Sequence, residues 1–108
     1  MSYDDIVSEY DLDNVCPEID NELNGWFVDL IGDDFELGIF PEPSPDDENA
    51  VVVTAEIMAE GVELSSEQVT AIRKAVEERL AHNLGDQWEA LKPNFGGVQV
   101  FCNDELQA

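Results

Sequence analysis

Between Val69 and Leu84 apolar residues recur at spacings of three and four: Val69, Ile72, Val76, Leu80 and Leu84 fall on one side of a helix. Ser65 and Gln68 ahead of this stripe form a capping box, and Gly85 suits the position just beyond the end. Arg73 with Glu77, and Lys74 with Glu78, stand four residues apart on the opposite side, where such pairs support a solvated helix. The pattern predicts an amphipathic helix over 65–84. Elsewhere the period falls to two. Phe35, Leu37 and Ile39 alternate with other residues and predict a strand over 35–40. Ala50 to Glu60 predicts a second, with Val51, Val53, Ala55 and Ile57 on one face and Val52, Thr54, Glu56 and Met58 on the other. Its Val51-Val52-Val53 run suits the inside of a sheet. Gly96-Gly97 leads into a last strand, Val98 to Cys102, after a helical turn at 86–91 that carries Trp88 and ends before Pro93.

The N-terminal third is less regular. Ser2 caps a short helix with Asp4 and Asp5 in its first turn and Ile6, Val7 and Tyr10 along one side. Asp11 to Asn14 reads as a turn, and Pro17 as the first residue of a second helix carrying Ile19 and Leu23. Residues 19–31 fit helical spacing, but Asn24-Gly25 is a turn signal and Trp26-Phe27-Val28 favours strand. On that reading Gly32-Asp33-Asp34 closes a hairpin between 26–31 and 35–40. Pro41, Pro43 and Pro45 stiffen a loop over 41–49. The expected fold is a single α+β domain spanning 1–108: a small, mostly antiparallel sheet of three to four strands packed against the 65–84 helix, with one or two short N-terminal helices. Its expected core is Phe35, Leu37, Ile39, Val51, Val53, Ile57, Val69, Ile72, Val76, Leu80 and Val100.

Charge changes the picture more than hydropathy does. Residues 1–72 hold twenty carboxylates and no lysine or arginine; residues 73–108 hold all four cations against six acids. The net charge is −22, yet 44% of the chain is hydrophobic, too apolar for an acidic disordered tail. A folded domain with an acidic coat follows. No stretch approaches the ~20 apolar residues that cross a bilayer. Met-Ser-Tyr-Asp-Asp lacks the basic start of a signal peptide, and anionic membranes would repel the coat, so the expected setting is the cytoplasm. Cys16 and Cys102 are then free thiols.

Candidate chemistry is sparse. His82, the single histidine, sits in the last turn of the main helix, where a cation is favoured by the dipole. Asp11, Asp13 and Glu22 match positions one, three and twelve of a calcium loop, but Val15 and Cys16 stand where a ligand and a glycine belong. Asp33-Asp34 with Glu36, and Asp46-Asp47-Glu48, can hold a divalent cation loosely; solvated turn carboxylates are the simpler reading. There is no phosphate-binding glycine loop and no nucleophile–base signature. No enzymatic activity, cofactor or metal is expected.

Two explanations fit the charge. Adaptation to high salt acidifies every exposed face; a dedicated acidic surface serves a basic partner. The mixed-charge face of the 65–84 helix favours the second. In size and charge the chain resembles the small DNA-mimic inhibitors that phages and mobile elements use against restriction and CRISPR systems, and is similar in the same respects to immunity proteins that neutralise nucleases. The resemblance implies a non-enzymatic inhibitor of a basic nucleic-acid-binding protein, without direct nucleic-acid or membrane binding, acting in the host cytoplasm if phage-encoded. The contact residues expected are Asp33, Asp34, Glu36, Glu42, Asp46, Asp47, Glu48, Glu56 and Glu60, with Trp26 or Phe40 as apolar anchors and Arg73, Lys74 and Arg79 turned away.

Overall fold

Capping explains where the first helix starts. In the computed structural model, which describes residues 2–107, Ser2 and Asp5 form a reciprocal capping box and α1 runs from Tyr3 to Glu9. Asp11 adopts a left-handed conformation (φ 54°), tolerated by aspartate, and breaks the chain into a second helix. Asn14 Nδ2 donates to Asp11 Oδ1 at 2.8 Å, and the Asn14 and Val15 amides donate to the Asp11 carbonyl.

Helix α2 then runs without interruption from Leu12 to Ile31, which corrects two expectations. Pro17 lies inside it rather than at its start, and residues 26–31 are helical rather than a strand. Pro17 deprives only the Asp13 carbonyl of its helical partner, and Asp13 is exposed to water. Gly25 costs about 1 kcal/mol in a helix interior. Against it, Leu12, Cys16, Ile19, Leu23 and Phe27 form one buried stripe, with Phe27 wholly enclosed. Burying a phenylalanine is worth about 1.5–3 kcal/mol, so packing outweighs local strand propensity. Gly32 (φ 95°) ends the helix.

The hairpin lies one element later, between β1 (Glu36–Pro43) and β2 (Val51–Met58), paired antiparallel from Glu36↔Met58 to Pro43↔Val51. β1 extends through Pro41 and Pro43, which had read as loop. The register explains the tolerance. The Ser44 amide donates to the Ala50 carbonyl, so even-numbered residues of β1 bond to β2 and odd-numbered ones face the free edge. Pro41 and Pro43 therefore sit where a missing N–H disturbs no ladder, and they blunt that edge. The outward Pro41 carbonyl accepts the Tyr3 hydroxyl at 2.9 Å.

Helix α3 spans Ser66–Leu84 and its N-cap Ser65 closes the expected capping box with Gln68. A short α4 (Gln87–Leu91) and a 3-10 turn (Lys92–Asn94) lead to β3 (Phe95–Cys102). β3 pairs parallel to β2, so the sheet is mixed, antiparallel in its other two pairings; the crossover through α3 makes the parallel pair possible. A bulge separates Val51↔Phe95 from Val52↔Gly97, and Gly97 takes φ 115° there. Asn103 and Asp104, both at positive φ, form a two-residue turn into a short further strand, β4 (Glu105–Leu106). The strand order is β1-β2-β3-β4 in an α+β fold.

All four helices and one sheet face meet in a single core that includes Ile39, Val51, Val53, Ile57, Val69, Ile72, Val76, Leu80 and Val100. Phe35, just ahead of β1, and Leu37, on this edge strand, are only half-buried against it.

Helices α2 and α3 are joined across their seam by polar groups. Arg79 Nη2 pairs with Glu22 Oε2, and Asn83 Nδ2 donates to Glu22 Oε1 at 2.7 Å. The Asn83 bond, with Arg79 beside it, holds the Glu22 carboxyl below its usual range. A carboxylate with a lowered folded-state pKa stabilises the fold above the unfolded value, and that contribution fades as pH falls through the folded value. Glu22→Gln should therefore lower stability at neutral pH and flatten the part of the acid-side decline that lies below pH 4.5. Urea midpoints of both proteins at neutral and acid pH measure this; parallel curves would leave the Glu22 pair without a stabilising role.

Candidate interaction surface

The charge asymmetry along the sequence becomes an asymmetry in space. The cation-free residues build α1, α2, β1 and β2; the four cations belong to α3 and to the turn after α4. Three of those cations are paired: Lys74 with Glu78, Arg79 with Glu22, and Lys92 with Glu89. Lys92 also lies over the Trp88 ring. Arg73 makes no ion pair among the described residues.

The nine expected contact residues fall into three groups. Asp33, Asp34 and Glu36 lie at the α2–β1 junction, and Glu60 follows β2 at the same end of the hairpin. Asp46, Asp47 and Glu48 occupy the β1–β2 loop at the other end, all exposed. Glu42 and Glu56 lie between them, half-buried on the sheet. Strand parity places Glu36, Glu42 and Glu56 on the same face, the one turned away from the helices. Eight residues of strand rise about 26 Å, so the acids span one side of the molecule rather than converging on a point. Among the described residues no three of its His, Cys, Asp and Glu side chains come together as a metal site.

All four strands contribute to this helix-free face. Its rows run Glu36–Met58, then Gly38–Glu56–Phe101–Leu106, then Phe40–Thr54–Gln99, then Glu42–Val52–Gly97. None of Phe40, Val52, Met58 and Phe101 belongs to the core cluster. Thr54 is 1% exposed and satisfied: its hydroxyl donates to Glu42, with the Gln99 side-chain oxygen 3.3 Å away. Alternation in Ala50–Glu60 showed the two faces, but nothing local shows which face the helices leave bare. Trp26 is no free anchor, since it packs edge-on to Phe27 with ring centroids 5.1 Å apart. Phe40 is available on the open face.

The groups suited to catalysis lie elsewhere. Burial, with Asp13 adding to it, pushes the Cys16 thiol up to about 12, and burial also raises Cys102. The Cys102 thiol points at the Val62 carbonyl. Burial raises Asp20 and Tyr3, the latter with help from Asp13, Asp4 and Glu42. His82 is exposed on α3 and lies close enough to Glu22 to lower that carboxyl further. Among the described residues no helix is long and apolar enough to cross a membrane. No family model, curated protein or solved structure matches this chain.

Proposed function

We propose that this protein is a non-enzymatic acidic binding protein that occupies the phosphate-gripping surface of a basic nucleic-acid-binding protein, in the manner of a DNA mimic. One observation carries the reading. The molecule is 40 Å long and bears 26 carboxylates on a rigid fold, and 40 Å of duplex carries about 24 phosphates. Its linear charge density is therefore that of DNA, and lysines and arginines arranged for phosphates accept it as a competitor. The confinement of all four cations to α3 and the turn after α4, three of them paired, supports the same reading over uniform salt adaptation.

Affinity capture from a cell lysate at low ionic strength should retain a basic nucleic-acid-binding protein. Added duplex DNA should displace it, and so should salt, because exposed charges are screened over roughly 8 Å at physiological ionic strength and less above it. Retention of acidic proteins, or retention that duplex leaves unchanged, would defeat the proposal.

A further inference from the structure

The open sheet face combines two features that solvation does not require together. It is acidic, with Glu36, Glu42 and Glu56, and it is aromatic, with Phe40 and Phe101 left outside the core. Glu56 stands at their meeting point. Phe101 is its direct neighbour on β3, and Gly38 its direct neighbour on β1. The Phe40 ring lies over Gly38: a Cβ at that glycine would meet Phe40 Cε1 at 3.5 Å. Glu56 thus stands in register between Phe101 on one side and, on the other, Gly38 with the Phe40 ring over it. Glu36 lies one strand and two residues away, roughly 8 Å by strand geometry. No cation of this chain belongs to the four rows; Arg73 shares a cleft with Asp46, Val52, Gly97, Gln99 and Leu106 on one side of this face, and neither Glu56 nor the two phenylalanines line that cleft.

We propose that this face is the anchoring part of the partner interface and receives an arginine of the basic partner protein, its guanidinium held by Glu56 between Phe40 and Phe101. The inference rests on the acidic-inhibitor reading and gives it a place. Arginine fits better than lysine, because its planar guanidinium bonds a carboxylate in bidentate fashion and stacks on aromatic rings. Charge alone steers and selects, while a desolvated aromatic contact supplies the hot spot. A second copy of this chain is a poor occupant, since it would bring Glu36, Glu42 and Glu56 against their own equivalents.

The test uses the full chain, isotopically labelled, titrated with oligo-arginine and with oligo-lysine of equal length. Amide shifts should concentrate at Gly38, Phe40, Glu56 and Phe101, and oligo-arginine should bind several-fold tighter than oligo-lysine. Phe40→Ser and Phe101→Ser should each weaken oligo-arginine by about tenfold while the rest of the spectrum stays folded. Shifts centred on Asp33, Asp34 and Asp46 to Glu48, with both variants unchanged in affinity, would overturn the anchor and leave the acidic-inhibitor reading standing. Failure of both peptides to bind, together with capture of no basic protein, would remove the reading and the anchor with it. Concentration-dependent dimerisation through Phe40 and Phe101 would overturn the anchor in favour of self-association.

Discussion

Truncating Phe27 to alanine should remove about 3–5 kcal/mol of stability, a large share of what a domain of this size possesses. Phe27 is fully enclosed, and it lies against Phe35 with ring centroids 6.2 Å apart. The cavity would open where α2 meets β1, with no nearby chain end to collapse into it. Thermal unfolding should shift downward by more than about 10 °C. Val28, one residue along and exposed, should tolerate alanine within about half a kcal/mol. If Phe27→Ala were as mild as Val28→Ala, the continuous α2 helix would be wrong.

Reversing four acids should have the second large effect, on association instead of stability. Asp33, Asp34, Asp46 and Asp47 changed to lysine move the net charge by two units each, from −22 to −14. All four are exposed at the two ends of the hairpin, so the fold should persist. The association rate with a captured basic partner should fall by about ten- to a hundredfold, with dissociation changing much less. Glu77→Lys with Glu78→Lys, on the α3 face that already carries Lys74, should matter far less. Equal effects from the two sets, measured by stopped-flow or surface binding at matched salt, would assign the charge to solvation and end the mimicry reading.

Much of this architecture could be read from the residues. Ser65 and Gln68 close the expected capping box, and Ser2 caps α1 as expected, with Asp5 completing a box there as well. The α3 stripe and the β2 run also hold, because in each the apolar period and the local propensity agree. Misreadings came where they conflict. Asn24-Gly25 and Trp26-Phe27-Val28 argue locally for a turn and a strand, and burial of Phe27 beneath the sheet decides otherwise. Pro17 resembles a helix start, yet Leu12 and Cys16 had core positions to fill upstream of it. The parallel β2–β3 pair is invisible to strand periodicity, which reports faces and not directions. The acidic positions were plain from composition. Their sorting into two hairpin ends and one open face depends on all the helices packing on the opposite side, a property of the assembled fold.

The parallel pairing also sets an order of events during synthesis and folding. The β1–β2 hairpin closes locally, but β3 reaches β2 only after residues 59–94 have been made and α3 has packed. Until then β2 is a sheet edge whose Val51 to Val53 are apolar on both faces, the kind of segment on which nascent chains join one another. The first 72 residues made, β2 among them, contain no cation at all. Two such unfinished chains repel before their valines can meet. The coat thus also guards an exposed edge for as long as its covering strand is missing, whether or not a partner is present.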